Sequence, residues 1–190
     1  DGLRRGALGA RFRQVEGRLA LTEWYLPKAA EKLEREARDA ADKQRARVHR
    51  SFLRKLEALP AAGFAELIAT WLNAEGVGAL RAVRRPGSSA VELHLAGTLR
   101  RGHEEVRVAL LVLRDGKELA ADRIVEIRGA LHHYGNASTA WVVTTGHVGK
   151  AARAEVEVAG APPCVLYDGD ALAEAMERRG VGVRPVSVPL

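Results

Sequence analysis

Apolar positions change their period at Leu59-Pro60, and that change divides the chain into a region 1–59 and a region 60–190. In the first, Leu8, Phe12, Val15 and Leu19 recur at helix-face spacing and predict an amphipathic helix from about Leu3 to Tyr25. Pro27 suits the first position of a second helix running to about Leu59. Glu31–Arg35, Glu34–Arg38 and Asp39–Lys43 are i,i+4 pairs that support an exposed helix there. Its apolar stripe of Ala30, Leu33, Ala37 and Ala41 stays thin until Phe52, Leu53 and Leu56. So weak a stripe is expected to pack on the first helix or on another copy of the chain, giving a homo-oligomer through the N-terminal helices.

Beyond Pro60 the periods alternate. Phe64, Leu67, Ile68, Trp71 and Leu72 give a helix with a strong apolar face, closed by Gly76 and Gly78. Val91, Leu93 and Leu95 alternate with Glu92 and His94, which makes a strand with two different faces. Val106–Leu113 is apolar apart from Arg107, as a buried central strand is, and Asp115-Gly-Lys117 ends it in a turn. A helix over Leu119–Tyr134, a strand over Ala140–Thr144, a helix over Lys150–Val158, a strand over Cys164–Tyr167 and a helix over Asp170–Arg179 complete the order. The succession α, β, β, α, β, α, β, α predicts an α/β domain, a sheet with helices on both faces.

Composition narrows the class without fixing it. With 190 residues, 47% hydrophobic and 28% charged, the chain is neither disordered nor fibrous. No apolar run approaches the ~18 residues of a membrane span. Cys164 is the single cysteine, which excludes an internal disulfide and a cysteine-built zinc site and makes a reducing, cytoplasmic setting the expectation. Asn136-Ala-Ser138 is read there as a chance sequon. The chain begins at Asp1 with no signal-peptide pattern, as a piece of a longer chain would. Net charge is +6, and residues 1–55 hold 15 Lys/Arg against 8 Asp/Glu while residues 56–190 hold 15 against 16. A polyanionic partner is the functional reading of that asymmetry, and a solvated Arg-rich helix face the plain one.

Four stretches of the second region carry a family likeness. Phe64-Ala-Glu-Leu-Ile-Ala-Thr-Trp-Leu72 followed by Gly76 is similar to an opening helix of the form FExLIAxLL. Gly87-Ser-Ser-Ala-Val-Glu-Leu93 is similar to a strand entry DGGxDL, and Val108–Arg114 to a strand VxVQxKR. Trp141-Val-Val-Thr-Thr-Gly146 and Val165-Leu-Tyr-Asp-Gly-Asp-Ala-Leu172 are similar to segments VVTTs and LIDGxxL. In this order and spacing, residues 60–182 resemble the Mrr-like restriction endonuclease domain of the PD-(D/E)xK nuclease superfamily. The resemblance implies a restriction-endonuclease-like mixed sheet flanked by helices, here preceded by an N-terminal helical hairpin or extended helices. It also implies a Mg²⁺-dependent centre, in which acidic side chains hold the metal and a strand lysine orients the attacking water.

The chain departs from that pattern where the chemistry sits. The helix glutamate falls on Ala65, the strand aspartate on Glu92, and the Gln and Lys of QxK on Leu111 and Leu113. Asp115-Gly-Lys117 spells D-x-K, but using it would move the motif out of the buried strand and into a turn. Arg114 keeps a charge nearby but is expected to face the opposite side of the sheet. Glu92 and His94 share a strand face at i,i+2 and could hold a softer metal, yet no further ligand joins them, so no metal site is expected. His132-His133 would diverge by about 100° on a helix and not converge on an ion. No catalytic residue is expected beyond a vestigial Glu92. No cofactor is expected either, Mg²⁺ entering only under a nuclease reading.

Loss of the metal leaves phosphate contact intact as a function. Arg81, Arg84, Arg85, Arg100 and Arg101 flank the strand of Glu92, and Thr144, Thr145 and Lys150 stand at a strand-to-helix turn where a backbone phosphate could rest. Aromatic residues are 5% and do not interleave with basic runs, so duplex DNA is the expected partner rather than a single strand. Three functions stay open. The first is a catalytically inactive DNA-binding domain. The second is a structural or interaction module that uses the apolar Leu111/Leu113 face. The third is a divalent-metal nuclease with an atypical site.

Overall fold

The computed structural model describes residues 12–15, 18–21 and 28–184. The chain divides into two compact units, 1–47 and 48–190. In the first, β1 (Phe12–Val15) and β2 (Arg18–Leu21) pair antiparallel, Phe12 opposite Leu21 and Val15 opposite Arg18. This overturns the helix expected over Leu3–Tyr25, whose remaining residues lie outside the described ones. A glycine at position 17 counts against a helix there by about 1 kcal/mol. The second helix forms as expected from Pro27, as α1 (Lys28–Glu57), with Glu34 and Arg38 paired at 2.7 Å. Its side chains from Lys32 to Val48 are all exposed, so the stripe through Leu33, Ala37 and Ala41 is not packed on a neighbouring helix.

The second unit is three layers. α2 (Ala61–Ala74) leads into a sheet of β3 (Val77–Ala82), β4 (Glu92–Arg101), β5 (Glu104–Leu113), β6 (Thr139–Thr144) and β7 (Cys164–Tyr167), in that spatial order. β3, β4 and β5 run antiparallel, while β5, β6 and β7 are parallel. The parallel crossovers carry α3 (Ala121–Gly129) and α4 (Lys150–Val156), and α5 (Gly169–Arg178) follows β7. This is the mixed sheet flanked by helices that the motif order implied. Among the described residues no helix is long and apolar enough to cross a membrane.

Three details depart from the pattern reading. β3 is an edge strand with no alternation to announce it: Gly78 and a bulge at Ala79 interrupt it. β4 runs on to Arg101 and turns through Gly102-His103 into β5, so the strand read at Val91–Leu95 is half of a hairpin. The helix read over Leu119–Tyr134 stops at Gly129 and tightens into a 3-10 turn at Leu131–Tyr134.

Strand alternation feeds two cores. On one face Val108, Leu110, Val112, Trp141 and Val143 meet α2, α5 and the end of α1, with Phe64, Ile68, Trp71, Leu172, Met176, Leu53 and Leu56 buried among them. On the other, Ala109, Leu111, Leu113, Ala140 and Val142 lie under Ile124, Ile127, Leu131 and Ala152. Each of the large aliphatic side chains contributes about 1.5–3 kcal/mol on burial, so β5, buried on both faces, is the centre of the domain.

The short sequence words are explained by close approach of backbone. Gly169 N–H donates to the Gly146 carbonyl at 2.7 Å, and a Cβ on Gly169 would stand 2.5 Å from the Thr145 oxygen. A Cβ on Gly146 would overlap the Lys117 carbonyl. Asp168 caps α5 by accepting from the Ala171 N–H at 2.9 Å and receives Arg153 at 2.6 Å. Arg128, buried, donates to the carbonyls of Glu155, Val156 and Pro162 and so fastens α3 to the end of α4. Two substitutions test this backbone account in opposite directions. Ala79 stands at φ 51°, so Ala79→Gly is expected to raise the unfolding free energy by about 0.5–1 kcal/mol. Gly146→Ala is expected to lower it by about 2 kcal/mol or more in the same urea titration.

Candidate active site

The register of β4 and β5 sets the two strand positions of the nuclease pattern opposite each other. Glu92 pairs with Leu113 and His94 with Leu111. Period two then turns Glu92, His94, Leu111 and Leu113 to the face covered by α3. Leu111 and Leu113 are buried against Ile124 and its neighbours, so the positions of Gln and Lys form an apolar wall. Arg114, next along, turns to the other face, where it donates to the Leu59 carbonyl at 2.7 Å and lies over the Phe64 ring.

What meets Glu92 comes from α3. Arg123 Nη2 lies 2.9 Å from Glu92 Oε2, a charge contact whose angle is not that of a hydrogen bond, and no other acceptor reaches that buried nitrogen. Arg123 Nη1 donates to Glu126 Oε2 at 2.6 Å, and Arg85, from the loop after β3, donates to Glu126 Oε1 at 3.0 Å. Two carboxylates are thus answered by two guanidiniums. His94 completes the cluster with Nε2 3.1 Å from Glu92 Oε2 and Nδ1 2.7 Å from the Tyr134 hydroxyl. The carboxylate accepts from Nε2–H, and Nδ1 accepts from Tyr134. Burial pushes the Tyr134 hydroxyl up to about 12, which keeps that proton in place. Burial, which outweighs the hydrogen bond to Glu92, together with the charges of Arg85 and Arg123, holds His94 below its ordinary value and so favours the neutral form.

A divalent metal does not fit these residues. Among the described residues no group of three or more His, Cys, Asp and Glu side chains is placed to hold one. Glu92 is already charge-matched by Arg123, and the opposite strand offers methyl groups where a hard cation needs oxygen. Ala65, at the helix position of the pattern, supplies no oxygen either. Asp115-Gly-Lys117 is a turn, with Asp115 Oδ1 accepting from the Lys117 N–H at 3.2 Å, and lies outside β5.

The expected phosphate contacts do not form one patch. Arg81 is exposed on β3, paired across from Ala96, and Arg84 and Arg85 follow in the loop toward Glu92. Arg100 and Arg101 stand at the far end of β4, four and five positions beyond the Ala96 that faces Arg81, or about 13–17 Å along the strand, and Arg100 pairs with Glu105 at 2.9 Å. Thr144 and Thr145 are buried, their hydroxyls accepting from the N–H groups of Gly146 and Gly116, so they hold a turn rather than a phosphate. Lys150 is the exposed member of that trio. His132 and His133 lie side by side in the 3-10 turn, ring centroids 3.9 Å apart and planes tilted by 42°, where divergence was expected. Arg123, Glu126 and Tyr134 were not singled out in the sequence. Their only signal is the Arg–Glu spacing of i,i+3 on the polar face of α3.

The family comparison agrees with the fold. The Restriction endonuclease family model of the Mrr type matches residues 56–176. The chain belongs to the Mrr-like restriction endonuclease family. A solved DNA modification-dependent restriction endonuclease, AspBHI, matches with TM-score 0.49 and 18% identity over 70% of this chain and 36% of its own. The MspJI restriction endonuclease in complex with a 27-mer oligonucleotide matches with TM-score 0.48 and 16% identity over 73% and 32%. The chain therefore spans about a third of the length of each. No curated protein sequence matches it.

Neutral His94 makes the cluster sensitive to acid. A histidine held below its ordinary value of 6.5 contributes stability that is present above that pH and is lost as pH falls through the lowered value. The unfolding free energy is expected to drop as pH falls below about 6.5, and His94→Asn is expected to flatten that slope in denaturant titrations.

Proposed function

We propose that the chain is a DNA-binding domain of restriction-endonuclease fold that does not cleave. The observation that carries the reading is Glu92: its carboxylate is matched by Arg123 and His94 and faces Leu113, with Leu111 beside it in the position of the second strand residue. Hydrolysis in this fold needs a cation to polarise the phosphate and a positioned cation to stabilise the developing charge. Neither has ligands here, so no divalent cofactor enters the reading. DNA contact survives, because phosphate binding depends on surface charge and not on the metal. Arg81 and Arg84 beside the former centre, Arg101 at the other end of β4 and Lys150 at the start of α4 are exposed cations suited to it. The interaction-module alternative loses its apolar face, since Leu111 and Leu113 are covered by the domain's own α3.

Supercoiled plasmid with Mg²⁺ or Mn²⁺ tests the inactive half of the reading, and duplex anisotropy without metal tests the binding half. No nicking, together with binding that weakens steeply as salt rises, is expected. Cleavage that disappears in Glu92→Ala would overturn the reading and restore an atypical nuclease.

A further inference from the structure

The two ends of the sheet carry their charges differently. At the Glu92 end, Arg85 and Arg123 are committed to Glu126 and Glu92, and Lys117 and Lys150 stand in turns near Asp115, Glu118 and Asp170. At the other end, arginines gather around one buried carboxylate, Glu75. Arg100 N–H donates to the Gly76 carbonyl at 3.3 Å, which brings the end of β4 against the turn that closes α2. Period two then separates the neighbouring arginines. Arg100 turns away to Glu105, whereas Arg101 follows Leu99 onto the face of α2 and α5. From the end of α5, Arg179 donates to Glu75 Oε2 at 3.1 Å, and Arg178 lies 3.7 Å from Oε1. Burial opposes the charge of Glu75, yet the two arginines hold its carboxyl below the ordinary value. Three guanidiniums thus answer one carboxylate whose side chain is 10% exposed. Glu75 Oε1 and Trp71 Nε1 are buried without a hydrogen-bond partner, so the Arg178 fork spends no hydrogen bond on Glu75. Glu104, opposite Arg101 in the ladder, makes no ion pair with it among the described residues.

We propose that Arg101, Arg178 and Arg179 form a phosphate-binding cluster that contacts the backbone of duplex DNA at the end of the sheet opposite Glu92. The inference rests on the DNA-binding reading and names that reading's principal contact. Glu75 is the positioning residue: it gathers Arg178 and Arg179 side by side while balancing the charge of only one. Both remain open to solvent, with Arg178 58% and Arg179 43% exposed, and Arg101 is exposed beside them. Planar guanidinium forks match phosphate oxygens in pairs, and a duplex presents one phosphate charge per ~1.7 Å of axis. The ends of α2, β4 and α5 all belong to one compact unit, so the cluster is set by the sheet and the helices packed on it.

Fluorescence anisotropy of a mixed-sequence duplex across a salt series, with the full chain, is the test. One variant carries Arg101→Gln and Arg178→Gln and leaves Arg179 on Glu75, so the buried carboxylate keeps its counter-charge. A second carries Arg84→Gln and Lys150→Gln, the same change of charge at the Glu92 end. Circular dichroism and thermal unfolding check that both fold. The first variant is expected to lose about tenfold or more in affinity, with a salt slope shallower by roughly 0.9 per contact removed. The second is expected to show a smaller loss, of about threefold. Equal losses from the two variants, or a loss confined to the second, would overturn this inference alone. Absence of duplex binding by the wild type at low salt would overturn it together with the reading on which it rests.

Discussion

The Arg123 guanidinium beside Glu92 is the contact on which the rest of the cluster depends. Glu92 projects from β4 onto a face that α3 closes, and a carboxylate enclosed there needs a compensating cation. Arg123 supplies it from within the chain, and Arg85 does the same for Glu126. With its charges balanced, the cluster makes no demand on solvent ions. Removing Arg123 would leave a partly buried carboxylate without its counter-charge, a loss of about 3 kcal/mol by the usual measure of such pairs. On the proposed reading these residues form a structural polar cluster, held at one end by His94 and Tyr134.

The apolar replacements belong to the same change. Leu111 and Leu113 face His94 and Glu92 directly across the ladder, and a lysine or glutamine there would be buried against Ile124. Without a metal and phosphate to receive those polar groups, leucine is the residue that packs. The pair strengthens the core between β5 and α3. On the proposed reading, tighter packing and the absence of cleavage are two consequences of one set of residues.

Most of the domain's architecture was legible because β5, β6, α2 and α5 carry strong periods and because the glycine words mark backbone contacts that admit no side chain. β3 was not legible: it is an edge strand interrupted by a bulge at Ala79, so neither alternation nor burial marks it. The N-terminal segment was misread because Phe12, Val15 and Leu19 satisfy a helical period that Gly17 does not. At the site, the emptied motif positions Ala65, Leu111 and Leu113 and the remnant Glu92 could be read directly. Arg123 could not, because its partner lies 31 positions away and only the packing of α3 over β4 brings the two together. The same limit hid the separation of Arg100 and Arg101 from Arg81, since the length of β4 depends on a hairpin that the strand pattern did not reveal.

Calorimetric titration of Mn²⁺ into the full chain, without DNA, is the most direct test of the substituted centre. An arginine that already satisfies Glu92 leaves no site, and the account gives no saturable heat at millimolar metal. Stoichiometric binding that Glu92→Gln abolishes would show that the carboxylate is free to take a cation, and would contradict it.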